Sequence, residues 1–216
     1  METFTNKVVL TGELVSEPVF SHEIYGEGFY EMMLRVKRLS ESFDVLPITV
    51  SDRLIAAHRL KKGISVTIAG QFRSYNKMQE ERSRLMLTVF VREVLEDPSS
   101  ENPNVIELTG FICKPPVYRT TPFHREICDL LLAVNRAYNK SDYIPCITWG
   151  RNARFVRYLD VGECVSVVGS VQSREYQKKI NETEIVTKTA YEVSVARISV
   201  DRELAPMPRP EWHTTV

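Results

Sequence analysis

The sequence predicts an all-β protein built from two copies of one small barrel. Three observations carry this: an internal repeat at a constant offset, short β-branched and aromatic runs bounded by Gly and Pro, and one helix-like run after the third strand of the second copy. In the chain of 216 residues, Gly12, Pro18 and Val19 recur as Gly110, Pro116 and Val117. The same offset carries Met32–Arg38 onto Leu130–Arg136, Asp44–Pro47 onto Asp142–Pro145, and Arg53 onto Arg151. After one inserted residue, Lys62–Gly70 matches Val161–Gly169. A period near 100 residues means two domains rather than a solenoid.

The first strand of each copy is Lys7–Val15 and Val105–Cys113. In the second copy, strands are expected near 104–113, 126–137, 143–149, 163–175 and 185–199, with a helix near 152–159 between the third and fourth. Five strands with one helix after the third is the layout of an OB-fold, a small Greek-key barrel. Gly12, Gly70, Gly110 and Gly169 would relieve crowding where strands bend. A five-stranded sandwich with a covering helix is the competing architecture, and periodicity does not separate the two. The expected organisation is a first OB-fold over 1–95, a linker over 96–103, a second OB-fold over 104–201 and a flexible tail over 202–216. The linker is acidic and rich in Pro and Ser, and Pro206, Pro208 and Pro210 alternate in the tail.

Composition bounds the function. The apolar fraction is 43% and the charged fraction 26%, as in ordinary globular proteins. Lys and Arg equal Asp and Glu at 28 each, which argues against binding by bulk charge but leaves room for a local basic groove. No apolar run approaches a membrane span, and the first residues lack a signal-peptide pattern, so a cytosolic location is expected. Cys113, Cys128, Cys146 and Cys164 form no CxxC pair, and no His lies at ligand spacing from them. Reduced thiols in or near a core are expected, with no metal and no cofactor. No Gly-rich phosphate loop, HExxH or GxSxG is present, so an enzyme is not expected. Glu23, Glu27 and Glu31 recur at spacing four, but Gly26 and Gly28 break a helix there, and a solvated loop is expected instead.

The most informative stretch runs from Asp142 to Arg151. It reads as a strand closed by Gly150, and Tyr143 and Trp149 lie six residues apart, on one face of a regular strand. Two rings on one sheet face are either core or a platform on which unstacked bases sit.

The second copy resembles the bacterial single-stranded DNA-binding protein family over about 104–200. The resemblance rests on Leu108–Ile112, Leu132–Arg136, Tyr143–Arg151 and Val167–Tyr176 taken together. It implies four base-stacking aromatics at Tyr138, Tyr143, Trp149 and Tyr176, and backbone contacts at Arg151 and Arg174. Arg136, Lys140, Lys178 and Lys179 are basic neighbours of those positions. The first copy departs from the pattern: Ser40, Val45 and Ser51 stand where the second has Tyr138, Tyr143 and Trp149. Only Tyr75 is expected to keep a ring, opposite Tyr176, with Arg73 close by and Phe43 as a candidate displaced ring. The first copy is therefore expected to assemble the barrels and to touch the backbone weakly through Lys37, Arg38 and Arg73. Family members usually end in an acidic tail with a Pro-Phe tip that recruits replication proteins. Residues 210–216 do not match it, so recruitment by that route is not expected. The family works as four OB-folds, which implies a homodimer here, against a monomer whose two copies imitate a dimer.

The function expected is single-stranded DNA binding without sequence preference, in replication, recombination or repair. RNA is a variant, because stacking does not distinguish the sugar. An OB-fold assembly module with vestigial nucleic-acid binding is the alternative.

Overall fold

A computed structural model of the chain describes residues 5–38, 40–79, 82–96, 102–179 and 185–201, without the side chains at 78, 79, 82, 83, 178 and 179. The first copy comprises β1 (Asn6–Leu14), β2 (Val19–Ile24), β3 (Glu27–Lys37), β4 (Phe43–Ser51), α1 (Asp52–His58), β5 (Ser65–Gln79) and β6 (Arg82–Leu95). The second comprises β7 (Asn104–Ile112), β8 (Val117–Thr120), β9 (Glu126–Arg136), β10 (Lys140–Trp149), α2 (Gly150–Val156), β11 (Cys164–Lys179) and β12 (Ile185–Val200).

Each copy closes on itself. β1 pairs with β3 and β5, β5 with β6, β6 in parallel with β4, and β4 with β3. The second copy repeats this ring with β7, β11, β12, β10 and β9. Closure into a barrel rules out the sandwich and establishes two tandem OB-folds. Alternation fills each interior: Leu46, Ile48 and Val50 of β4 are fully buried, as are Ile144 and Cys146 of β10.

The glycines sit where the strands bend. Register shifts lie between Ala69 and Gly70 and between Val168 and Gly169. A Cβ on Gly169 would lie 2.1 Å from the Ser194 carbonyl oxygen, so only glycine lets the strands approach this closely. The thiols behave as expected: all four are free, Cys128, Cys146 and Cys164 are buried, and burial raises the pKa of each.

Several local expectations change. β8 is an additional short strand, β10 starts at Lys140, α2 starts at Gly150, and β11 runs on to Lys179. Glu23, Glu27 and Glu31 lie on the β2–β3 hairpin rather than in a loop. Tyr25 and Gly26 turn it with φ of 51° and 82°. Every residue of β2 is exposed, so the apolar alternation that announces a strand is missing there.

The two barrels join through their first strands. β1 and β7 pair antiparallel from Asn6↔Leu108 to Leu10↔Asn104, and Val8 pairs with Ile106, its own counterpart. The join is therefore a pseudo-two-fold axis. Around it Asp44 accepts from the Ser173 N–H at 2.6 Å and from its hydroxyl at 2.9 Å. Symmetrically, Asp142 accepts from the Ser74 N–H at 2.8 Å, and the Ser74 hydroxyl accepts from the Tyr143 N–H at 2.7 Å. The two sides are not equal. Arg38 donates to both Asp44 oxygens and to the Ser173 carbonyl, whereas Arg136 meets Asp142 only at 3.5 Å. Burial raises the Asp142 pKa, opposed by the Ser74 N–H, Arg136 and Arg73.

Candidate nucleic-acid interface

The outward face of β10 carries the rings. Its ladder with β9 is unbroken from Lys140 to Trp149, so Tyr143 and Trp149 share one face while Asp142, Ile144 and Cys146 turn inward. The rings are open to solvent: Tyr143 is 46% exposed, Trp149 38%, Tyr176 37% and Tyr138 93%. They lie on the surface rather than in the core. Tyr176 lies on β11, and β12 pairs with both β11 and β10, so the two ring-bearing strands flank it. Tyr138 tops the β9–β10 turn with φ of 64°, followed by Asn139 at 53°. A tyrosine in the left-handed region is uncommon and costs about 1–2 kcal/mol, and this one gains no burial in return.

Trp149 also occupies the N-cap of α2 and makes no side-chain cap bond, while its counterpart Ser51 caps α1 by accepting from the Leu54 N–H. A serine cap is worth ~1 kcal/mol. The second copy gives up that capping where the ring stands. The indole is steadied instead by its N–H, which donates to the Ser194 hydroxyl at 3.3 Å.

The cations are unevenly available. Arg151 is exposed on α2 and Lys140 at the start of β10. Arg174 pairs with the buried Glu192 at 3.4 Å and lies 5.9 Å from the Tyr176 ring centre. Arg136 leans on Asp142, and the side chains of Lys178 and Lys179 fall outside the described residues. In the first copy Lys37 is exposed at the end of β3, but Arg38 is committed to the barrel junction. Its bidentate bond to Asp44 raises its pKa and occupies the donors a phosphate would need.

One register expectation is overturned. Gly70 and Gly169 take equivalent places opposite Val8 and Ile106, and Ser74 and Ser173 equivalent places at the junction. Tyr75 therefore corresponds to Arg174, and the counterpart of Tyr176 is Lys77. The two-residue slip keeps Tyr75 on the same strand face, which made the match persuasive, but none of the four ring positions is aromatic in the first copy. Tyr75 instead donates to Glu31 at 3.3 Å, and burial followed by Glu31 raises its pKa. Phe43 is exposed and lies under the Arg35 guanidinium at 5.3 Å.

Sequence reading missed Phe90. In the parallel pairs, Thr49↔Phe90 corresponds to Ile147↔Ser194, so Phe90 stands where Ser194 supports the indole. The second copy has Trp149 bonded to Ser194, and the first has Ser51 at the tryptophan's place and Phe90 at the serine's. A large and a small residue have exchanged strands. The signal lies beyond the hairpin that lengthens the second copy, where the constant offset no longer holds.

Two tandem OB-folds, the second with an exposed aromatic face, define the architecture of this protein. Residues 103–201, the second barrel, match the model of the Single-strand binding protein family. Single-stranded DNA-binding protein 1 of Staphylococcus aureus is 35% identical over 92 residues, 39% of this chain and 55% of that protein. Single-stranded DNA-binding protein A of Bacillus subtilis is 32% identical over 96 residues, 41% of this chain and 56% of that one. The chain thus spans about half the length of these relatives. A deletion mutant of the single-stranded DNA binding protein from Thermus aquaticus shares the fold over 98% of this chain and 100% of its own, with a TM-score of 0.71 at 18% identity.

Proposed function

We propose that this protein binds single-stranded DNA without sequence preference and serves DNA replication, recombination or repair. The carrying observation is the exposed face bearing Tyr143 and Trp149, with Tyr176 and Tyr138 beside it. Rings open to solvent stack on any base, and the cations Arg151 and Lys140 follow the phosphates. Nothing in this chemistry requires catalysis, so the reading is of a binding protein. Among the described residues no helix is long and apolar enough to cross a membrane. A cytosolic location is part of the proposal, since that is where the strand would be met. The domains act unequally: 104–201 supplies the stacking and 1–95 the scaffold. A homodimer of four barrels is also part of the proposal. Because β1 and β7 already pair with each other, the dimer forms through other surfaces.

The reading is tested through the indole. The chain has two tryptophans, and Trp212 lies outside the described residues. In a Trp212→Phe variant, oligo-dT should quench the remaining emission as bases stack on Trp149, and oligo-U reports whether the sugar matters. Saturable binding that leaves Trp149 emission unchanged would contradict the assigned platform.

A further inference from the structure

The first barrel has lost its four rings, yet its outer face is not inert. Phe90 of β6 carries two arginines on its ring: Arg73 of β5 with its guanidinium carbon 3.9 Å from the ring centre, and Arg92 at 5.3 Å. Both also donate to the same carboxamide oxygen, Gln71 Oε1, Arg73 at 2.8 Å and Arg92 at 3.4 Å. Among the described residues neither has a carboxylate within ion-pair distance. Two like charges are thus held side by side by one neutral ring and one neutral oxygen. Such an arrangement is costly unless an anion is shared between them. Burial first, then Arg92 and Arg136, push the Arg73 pKa down to about 10, with Asp142 beyond ion-pair distance opposing them. The pair belongs to the first copy alone, since its counterparts in the second are Gln172 and Ala196.

Arg73 and Phe90 also line a groove that reaches the second barrel. Its volume is about 320 Å³, and Tyr75 and, from the second barrel, Arg136 line it too. Ser74, which also lines the groove, accepts the Tyr143 backbone N–H, so the groove adjoins the strand that carries Tyr143 and Trp149. The groove's carboxylate Glu31 is engaged by the Tyr75 and Ser21 hydroxyls. At the pseudo-symmetric junction, Arg38 is closed onto Asp44 and Gln172 onto Glu192, leaving no equivalent seat.

We propose that Arg73 and Arg92, laid against Phe90, form a phosphate seat on the first barrel that receives the DNA backbone as it leaves the rings of the second. The proposal rests on the single-strand reading above. It gives the first barrel a share of the strand through charge, the guanidinium having taken the ring face that a base would otherwise use.

The test is the salt dependence of oligo-dT binding by the full chain at two lengths. One oligonucleotide of about 8 nucleotides stays within the span of a single OB-fold, and one of about 30 crosses both barrels. In R73Q/R92Q the slope of log affinity against log salt should shrink by about 1.4 for the longer oligonucleotide, at ~0.7 for each phosphate of a single strand that is no longer neutralised. For the shorter one it should stay at the wild-type value. R92Q alone, which removes only an exposed side chain, should shrink the longer slope by about half as much and covers the case in which the double variant misfolds. Wild-type slopes at both lengths in both variants would overturn the seat while leaving stacking on the second barrel intact. Loss of affinity at both lengths with no change of slope would overturn it too. A wild-type chain that binds neither oligonucleotide overturns the single-strand reading and the seat with it.

Discussion

Replacing Tyr143 by Ala and Trp149 by Ser in one chain should weaken oligo-dT binding by about 2–6 kcal/mol, at ~1–3 kcal/mol per stacked base. That is roughly 30-fold to more than 10⁴-fold. The substitutions are chosen so that folding and binding separate. Tyr143 contributes only its backbone N–H to the junction, which Ala retains. Ser at 149 reproduces the residue that caps α1 in the first copy. The dependence of the remaining affinity on salt should not change, because Arg151 and Lys140, the proposed phosphate contacts, are untouched. Far-UV circular dichroism and equilibrium titration check both halves of the expectation. A folded double variant with wild-type affinity would return the rings to a structural role.

The second large effect is expected at the barrel junction. Asp44→Ala removes a nearly buried carboxylate that accepts two bonds from Arg38 and two from Ser173. Breaking a fully buried ion pair costs ~3–5 kcal/mol. Arg38 is still 37% exposed, so solvent recovers part of its charge. The expected loss is therefore about 2–4 kcal/mol, or roughly 4–16 °C in melting temperature for a chain of this size. Asp142→Ala should cost less. Its ion pair is a single approach at 3.5 Å, and its carboxylate already bears the burial penalty that raises its pKa. Thermal unfolding of the two variants side by side measures the asymmetry, and an Asp142 variant that falls further than the Asp44 variant would refute it.

Much of this architecture was legible in the sequence because the duplication preserved the residues that set geometry. Gly70 and Gly169 recur because a Cβ at either would strike a carbonyl oxygen, at 2.2 Å for the first and 2.1 Å for the second. The Tyr143–Trp149 face was legible because a regular strand alternates, and β10 contains no bulge to break the count. What stayed hidden has physical causes. The Tyr75 match failed because a slip of two residues preserves a strand face and changes only the place along it. Phe90 escaped because the ring exchanged strands, and its partner position lies beyond a hairpin of different length. Arg38 read as a surface cation because Asp44, its partner in the same copy, is turned into the junction by Ser173 of the other copy, and a reading within each copy does not contain that junction. The β2 strand escaped because both its faces meet water.

The proposed grip of the second barrel on nucleic acid is stacking on bases that are free of their partners. The most direct test is the affinity of the full chain for oligo-dT against a duplex of the same length, at one fixed salt concentration. The rings need unpaired bases while the cations do not, so the single strand should bind more tightly by at least the ~1–3 kcal/mol of one stacked base, and by more as further rings engage. Equal affinity for the two would mean that charge alone does the binding, and would contradict the assignment of Tyr138, Tyr143, Trp149 and Tyr176 as the platform.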